Sequence, residues 1–437
     1  MSDEALTVAY LTAGAGGMFC GSCLHDNTLA KALSQLGVDT QLIPTYTPIR
    51  TDEEDVSIDR VFFGGINVYL QQKIPLFRHL PAFLDRFLDQ PWLIRLATSR
   101  GMETSAKELG ALTVSMLRGD HGYQRKEVQR LTRFLQTSVK PDLVITSNML
   151  IAGCVPALKR ALDVPVVVTL QGDDIFLDDL VEPYRQQAFA QIHELIQDVD
   201  AFLVYSDFYA DFMSDYLQIP RDKFRLVPLG LELSDYVASK PPEDHDSSSE
   251  RPVTIGYLAR LAEEKGLHLL VDAFIHLRKE MNMDVRLQIA GWLGPQQESY
   301  AETQFAKLRE AGFADAFRYV GEVDREGKLQ FLQEIDVLSV PTIYKDPKGL
   351  FVLEALAAGV PVVQPRHGAF PELLDRTGGG KLVEANDVMA LAEGLAEIVG
   401  QGAQRRELGI TGQQVVHEQF HSRAMAEQTL DVLRTFV

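Results

Sequence analysis

The chain alternates short, continuous apolar segments with stretches of helical periodicity, and it does so in two successive series. Unbroken runs of Val, Ile and Leu are typical of strands that are buried on both faces of a parallel sheet. The predicted strands of the first series are 6–11, 38–44, 142–146, 164–170 and 201–205. Those of the second series are 253–257, 285–290, 317–320, 337–340 and 360–363. The fold class predicted is therefore α/β, with two doubly wound, Rossmann-like domains.

The domain limits follow from composition and from the position of the two series. We expect an N-terminal domain at 1–235, a linker at 236–252, a second domain at 253–410 and a C-terminal helix at 411–437 that packs back on the first domain. The segment 240–251 is rich in Pro, Ser and charge and has no apolar residue, which is typical of a linker. Ligands bind at the carboxyl ends of such strands, so a central cleft faced by both sheets is the expected site.

Charge excludes one class of partner and marks one unusual segment. The net charge of −19 argues against nucleic-acid binding, which needs a basic surface. Between residues 73 and 140, however, twelve Lys or Arg stand against six Asp or Glu, within a predicted helical insertion at 76–138 of the first domain. That basic segment is compatible with a solvated helical face, with a cover over an acceptor, or with peripheral contact to anionic lipid.

Neither a disulfide framework nor a membrane anchor is indicated. The chain has three cysteines among 437 residues, at positions 20, 23 and 154. Its first ten residues lack the basic and apolar regions of a signal peptide, and no apolar run is as long as the roughly 18 residues of a membrane helix. The expectation from these features is a cytoplasmic protein.

Two cations lie just after the first strand of the second series. Arg260 and Lys265 occur in the segment Arg-Leu-Ala-Glu-Glu-Lys-Gly, between a strand end and a predicted helix start. A diphosphate suits such a place, because the helix start offers free N–H groups and a favourable dipole end. A solvated charged turn is the alternative that the residues by themselves leave open.

An acidic residue in an apolar helix marks a second candidate site. Glu354 lies between Leu353 and Ala355 in a short predicted helix that follows the loop containing Pro347 and Gly349. An unpaired carboxylate there would be costly to bury. Bonds to the vicinal hydroxyls of a ribose would satisfy this carboxylate, as would a cap or a buried salt bridge.

The segment 14–25 has two further patterns. Cys20 and Cys23, next to His25, form a Cys-x-x-Cys that is compatible with a tight ligand loop, a redox pair or part of a zinc site. The glycines of the same segment do not match a dinucleotide fingerprint, because Phe19 occupies the third glycine position.

Taken in order, these motifs resemble the retaining glycosyltransferases of family 4, which have the two-domain GT-B fold. The resemblance covers nearly the whole chain. It rests on the glycine loop after the first strand, the Arg260/Lys265 spacing, Pro228-Leu-Gly230, the acidic pair Asp346 and Glu354, Gly359-Val-Pro-Val-Val363 and Gly368-Ala-Phe-Pro-Glu372.

The resemblance implies a role for each matching residue. Arg260 and Lys265 would neutralise the leaving diphosphate, and Glu354 would hold the ribose hydroxyls. The remaining donor contacts that it implies are Gly16 and Gly17 under the sugar and diphosphate, and Asp346 with the N–H groups of Gly349, Leu350 and Phe351 at the sugar and β-phosphate.

Three positions depart from the family pattern. Asp346 replaces the usual Glu, Lys348 replaces the usual Phe, and Gln171 stands where many relatives have a His near the reaction centre. An amide orients groups but does not act as a base.

The activity implied is front-face transfer of a sugar, with retention, from a UDP- or GDP-linked donor to an unidentified acceptor: a saccharide, a lipid-linked compound or a small molecule. Because fixed cations stabilise the leaving group, no metal ion or other cofactor is expected. The alternatives are a GT-B epimerase or phosphorylase, or a catalytically silent protein that binds a nucleotide sugar.

Overall fold

The structure, a computed structural model, describes residues 5–14, 21–63, 106–236 and 251–437. The chain divides into two compact units. Unit 1 consists of Met1–Gly230 together with Ser422–Val437, and unit 2 is Leu231–His421. Each unit has its own six-stranded sheet, and all strand pairs in both sheets are parallel.

The sheet of unit 1 has the order β2-β1-β3-β4-β5-β6. Its strands are β1 (Thr7–Thr12), β2 (Asp39–Pro44), β3 (Leu143–Thr146), β4 (Val166–Thr169), β5 (Ala201–Val204) and β6 (Phe224–Leu226). The strands β3, β4 and β5 are buried along their whole length, as their Val-, Ile- and Leu-rich sequences predict. The chain leaves β1 to one side for β2 and returns to the other side for β3, so a topological switch point lies at the carboxyl ends of β1 and β3.

Helices cover both faces of this sheet. They are α1 (Gly21–Gln35), α2 (Ala106–Leu117), α3 (Arg125–Phe134), α4 (Val155–Leu162), α5 (Asp173–Asp178), α6 (Tyr184–Leu195), α7 (Asp207–Leu217) and α15 (Ser422–Leu433). The last helix packs on α1, where Met425 and Leu433 join the apolar cluster that also contains Leu29 and Leu33. The chain terminus therefore contributes to the core of unit 1.

The sheet of unit 2 has the order β12-β11-β10-β7-β8-β9. Its strands are β7 (Val253–Leu258), β8 (Val285–Ala290), β9 (Phe317–Gly321), β10 (Val337–Leu338), β11 (Val362–Pro365) and β12 (Gly380–Val383). Its helices are α8 (Leu267–Lys279), α9 (Glu298–Glu310), α10 (Arg325–Glu334), α11 (Leu350–Ala357), α12 (Phe370–Thr377), α13 (Val388–Gly400) and α14 (Gly402–Gln419). The switch point of this sheet lies between β7 and β10.

The α/β fold class with two parallel sheets is confirmed, whereas three local features differ from expectation. The strands β6 and β12 were missed because both lie at sheet edges, where half-exposed residues such as Arg225 and Lys381 interrupt the apolar run. The helical pattern at the C-terminus is two helices, α14 and α15, separated at Phe420–His421.

Candidate functional site

The loops that follow β7 and β10 bring three predicted site residues to the switch point of unit 2. Arg260 and Lys265 lie in the loop after β7, and Asp346 lies in the loop after β10. Because β7 and β10 are neighbours in the sheet, their carboxyl ends lie side by side. Ligands of open parallel sheets bind at this kind of position.

Two glycines allow these loops to approach closely. Gly266, next to Lys265, has a φ of +73°, and a Cβ atom at this position would lie 1.8 Å from the carbonyl oxygen of Pro341. Gly349 has a φ of +66°, and a Cβ there would lie 2.5 Å from Leu373 Cδ1. Both positions therefore require glycine, since a side chain would be strained and would also collide with its neighbour.

Lys265 and Asp346 form a partly buried ion pair in these loops. The Nζ atom of Lys265 lies 3.1 Å from Asp346 Oδ2. The hydroxyl of Tyr344 also donates to Asp346 Oδ2, and its oxygen accepts a hydrogen bond from Lys265 Nζ. The ammonium group lies 4.7 Å from the centre of the Tyr344 ring and 5.6 Å from that of Phe351, within the range of cation–π attraction. Sequence reasoning missed Tyr344, because nothing in the chain pattern pairs it with a cation.

The other carboxylate oxygen of Asp346 stabilises the loop that precedes α11. Asp346 Oδ1 accepts backbone hydrogen bonds from Lys348, at 3.0 Å, and from Gly349, at 2.9 Å. Burial by itself would raise the pKa of the Asp346 carboxyl, but the Lys265 charge and these hydrogen bonds outweigh it and hold that pKa well below its ordinary value. Asp346 therefore remains ionised at neutral pH, and in this structure the Gly349 N–H donates to it.

Arg260 has a more exposed partner. Its Nη2 atom lies 2.8 Å from Glu264 Oε1, and both side chains are partly exposed. An ion pair of this kind contributes little to stability, so exchanging Glu264 for another anion costs little.

Glu354 lies in α11, one helical turn beyond Leu350. Both Glu354 and Lys328 of α10 are buried, and Lys328 Nζ lies 2.6 Å from Glu354 Oε1. This is the buried salt bridge that the sequence left open as an alternative to ribose binding. The interaction with Lys328 satisfies one oxygen of the carboxylate and accounts for the acidic residue in an apolar helix.

Gln171 lies in unit 1, just after β4, within a buried polar network. Its Nε2 atom donates to Asp26 Oδ1, at 3.0 Å, and to the Ser147 carbonyl, at 2.7 Å. Its Oε1 atom accepts from the hydroxyl of Tyr205, at 3.1 Å. These neighbours follow different strands or belong to α1, and they meet at the carboxyl edge of the unit 1 sheet.

The glycine loop is only partly visible. Gly16, Gly17 and Cys20 lie outside the described residues, as do residues 73–105 of the basic segment and 237–250 of the predicted linker. Cys23 is described: it is buried in the apolar cluster between α1, the sheet and α15. Burial raises the pKa of the Cys154 thiol to about 12, so this thiol stays protonated at neutral pH, unlike the thiolate of a redox or metal site.

We expect that Cys20→Ser with Cys23→Ala leaves nucleotide binding unchanged and costs about 1 kcal/mol of stability, because Cys23 serves as a small apolar core residue. Thermal unfolding and calorimetric titration with UDP measure the two effects. EDTA should have no effect on either quantity. A loss of activity on chelation that zinc restores would instead assign the cysteines to a metal site.

Within residues 5–14, 21–63, 106–236 and 251–437, no group of three or more His, Cys, Asp or Glu is placed to hold a metal ion. In that same part of the chain, no helix combines the length and the apolar character that crossing a membrane requires.

Family comparisons define the class of protein. Residues 27–230 match the glycosyl transferase 4-like domain, and residues 241–415 match the glycosyl transferases group 1 family. The two matches cover most of both units. The chain therefore belongs to the group 1, family 4-type glycosyltransferases, which are transferase enzymes.

The sequence identity to individual relatives is low. The chain is 28% identical over 253 residues to WcaL of Escherichia coli K12, which carries the name of a colanic acid biosynthesis glycosyltransferase. That match spans 56% of this chain and 58% of WcaL, less than two-thirds of the relative's own length.

Solved structures confirm the GT-B fold. Sucrose-phosphate synthase from Thermosynechococcus elongatus superimposes with a TM-score of 0.69 at 18% identity, covering 98% of both chains. HepE of Anabaena, solved in complex with UDP, also has a TM-score of 0.69, at 14% identity, covering 98% of this chain and 100% of its own. At these identities the likeness concerns the fold alone.

Proposed function

We propose that this protein transfers a sugar, with retention of configuration, from a nucleoside diphosphate sugar to a hydroxyl acceptor. The observation that carries the proposal is the Lys265–Asp346 pair at the start of α11, 3.1 Å apart, in the loops after β7 and β10. Here a partly buried cation, an exchangeable Arg260 and the N-terminus of a helix lie at one switch point, which suits a diphosphate.

The two cations act on the leaving group. When the bond between the sugar and the diphosphate breaks, negative charge develops on the phosphate oxygens. Lys265 is already positioned by Asp346 and Tyr344, so it stabilises that charge without reorganisation. Arg260 exchanges Glu264 for a phosphate oxygen and provides a second charge-assisted hydrogen bond.

Two acidic residues and one amide orient the substrates. Glu354, with Lys328 as counter-ion on one oxygen, binds the ribose hydroxyls. Asp346 holds the loop that directs the Leu350 and Phe351 N–H groups to the donor. In unit 1, Gln171 presents a fixed amide at the carboxyl edge of its sheet, where it orients sugar hydroxyls.

A nucleotide-linked donor is supported by one of the structures that share this fold. HepE has been solved with UDP and with UDP-glucose, and it shares the fold of this chain. Together with the family match, this supports a UDP- or GDP-linked sugar as donor. The acceptor is a hydroxyl compound of the saccharide, lipid-linked or small-molecule class.

We expect UDP or GDP, and the matching nucleotide sugar, to raise the unfolding temperature, because a ligand that binds only the folded state stabilises it by mass action. A thermal-shift panel of UDP, GDP, UDP-glucose and GDP-mannose, with AMP as the control, measures this effect. Release of free nucleotide diphosphate from the stabilising sugar shows turnover. Stabilisation without any turnover would indicate a silent binding protein, and no stabilisation by any of the four contradicts the proposal.

A further inference from the structure

The loop after β11 packs directly on the loop that contains Asp346. Gly368 has a φ of +60°, and a Cβ atom at this position would lie 2.6 Å from the carbonyl oxygen of Asp346. The backbone N–H of Ala369 donates to the same carbonyl oxygen, at 2.9 Å. The two loops are therefore in backbone contact, and any side chain at position 368 would separate them.

His367 adds a side-chain contact between these two loops. Its Nε2 atom lies 2.8 Å from the carbonyl oxygen of Thr342, a fully buried residue. The hydroxyl of Thr342 donates to the carbonyl oxygen of Tyr344, at 3.0 Å. The Tyr344 hydroxyl in turn contacts both Lys265 and Asp346. The His367 ring is thus connected, through Thr342 and Tyr344, to the ion pair of the candidate donor site.

The contact with Thr342 determines which nitrogen of the His367 ring is protonated. A carbonyl oxygen only accepts, so Nε2 carries the hydrogen and, in the neutral ring, the lone pair lies on Nδ1. Nδ1 is buried, and no residue in the described part of the chain provides it with a hydrogen-bond partner. A protonated ring would have a second N–H at Nδ1 without an acceptor, which is costly to bury. The observed contact therefore favours the neutral ring.

The electrostatic surroundings of His367 act in the same direction. Burial has the largest effect and lowers the pKa of His367 below its ordinary value, and the charge of Lys345 lowers it further. The carbonyl that Nε2 contacts and the Asp346 carboxylate raise this pKa without cancelling the effect of burial. In its own segment, Arg366 precedes the ring and Glu372 lies in the first turn of α12. The neutral ring is the form that the folded protein favours near pH 7.

We propose that His367 is a positioning residue of the donor site: its neutral ring holds the loop after β10 in the conformation in which Lys265 and Asp346 pair, and protonation of the ring releases that loop. This inference rests on the proposed function and extends it, because it makes donor binding sensitive to acid. Asp346 itself does not titrate in the range of a histidine, since its pKa is held well below the ordinary carboxyl value.

Wild-type affinity for a nucleotide sugar is expected to fall in acid. The released loop is favoured below the ordinary histidine pKa of about 6.5, so affinity at about pH 5 should be at least about threefold lower than at about pH 7.5. Isothermal titration calorimetry with UDP-glucose or GDP-mannose, whichever stabilises the wild type, measures this difference. A nucleotide sugar is the suitable probe because its diphosphate is esterified at both ends and does not titrate in this range.

Two substitutions separate the hydrogen bond from the titration. His367→Asn is too short to reach Thr342 and should lose about 2–10-fold in affinity at about pH 7.5, the range expected for one hydrogen bond. His367→Gln places an amide N–H near the position of Nε2 and does not titrate. It should recover most of the affinity that the Asn variant loses, and it should keep this affinity at about pH 5.

His268→Gln is the matched control. His268 closely follows Lys265 in the chain, and burial lowers its pKa as well, so it is the other histidine that could produce an acid effect at these loops. Its Nδ1 atom contacts the hydroxyl of Tyr300, at 2.8 Å, and not the loop after β10. The His268→Gln variant should therefore lose affinity in acid as the wild type does.

A second measurement does not depend on these variants. The ¹⁵N shifts of the wild-type His367 ring should show the proton on Nε2 at about pH 7.5, and bound nucleotide sugar should lower the pKa of the ring, because linkage is reciprocal. A ring protonated on Nδ1, a wild-type affinity that does not change with pH, or an acid loss that persists in His367→Gln or disappears in His268→Gln would overturn the proposal. A wild-type protein that binds no nucleotide sugar near pH 7.5 contradicts the proposed function itself, and this inference with it.

Discussion

Replacing Arg260 and Lys265 together by alanine is expected to weaken UDP or GDP binding by about 10²–10⁴-fold. In the proposed site each cation donates a charge-assisted hydrogen bond to the diphosphate, and such a bond is worth about 1.5–3 kcal/mol, where about 1.4 kcal/mol corresponds to a factor of ten. Isothermal titration calorimetry with the nucleotide that stabilises the wild type measures the change. The nucleotide affinity of the double variant should also depend much less on ionic strength than that of the wild type, because both charges are removed.

The matched control removes two cations from the same unit. Arg278 and Lys307 form partly exposed ion pairs with Asp284 and Asp272, so Arg278→Ala with Lys307→Ala changes the net charge equally. This control should bind nucleotide like the wild type. Equal affinity in the Arg260/Lys265 double variant and the wild type would show that the two cations do not bind phosphate.

Lys265→Ala also has a predictable structural effect that has to be separated from binding. Because the pKa of Asp346 is lowered in the folded state, the pairing contributes stability above the ordinary carboxyl pKa of about 4, and this contribution is lost as the pH falls. The Lys265 variants should therefore be less stable than the wild type at pH 7, and the difference should shrink in acid. Nucleotide binding is best compared at a temperature well below the unfolding temperature of the least stable variant.

The largest stability effect is expected for Lys328→Ala. Removing Lys328 leaves the buried Glu354 carboxylate without its counter-ion, which typically costs about 3–5 kcal/mol. In a unit of this size such a loss lowers the unfolding temperature by about 6–20 °C, which differential scanning fluorimetry resolves. Lys381→Ala is the control, because its pair with Glu397 is partly exposed and is worth at most about 1 kcal/mol.

Replacing both partners distinguishes structure from function at this pair. Lys328→Met with Glu354→Leu should recover most of the stability, because a buried ion pair exchanged for apolar side chains of similar volume is often neutral. Nucleotide affinity should nevertheless stay low if Glu354 binds the ribose. Recovery of both stability and affinity would show that Glu354 is only structural.

Local sequence was enough for the fold class, because a strand that is buried on both faces has to be apolar throughout. Val166–Thr169 and Ala201–Val204 meet that condition and were predicted within one or two residues. A strand at a sheet edge can contain polar residues, because part of it is exposed. Phe224–Leu226 is half exposed, and its sequence shows no continuous apolar run. The same reason explains why sequence predicts central strands well and sheet edges poorly.

Some of the candidate site residues could likewise be predicted from the sequence, and others could not. Arg260 and Lys265 are close in the chain, so their spacing already suggested an anion site, and the family resemblance added Asp346 and Glu354. No pattern in the sequence indicated that Lys328 neutralises Glu354, or that Tyr344 contacts both Lys265 and Asp346.

What the sequence by itself determined was which segments are buried and which are loops, because burial imposes composition on each segment independently of the others. Which loops meet was decided by the order of the strands. Lys265 reaches Asp346, 81 residues later, because β10 pairs with β7, and Gln171 reaches Asp26, 145 residues earlier, because β4, β3 and β1 are successive neighbours. Strand order depends on interactions between distant segments, so only the tertiary structure shows the partners that set the charge and orientation of each candidate residue.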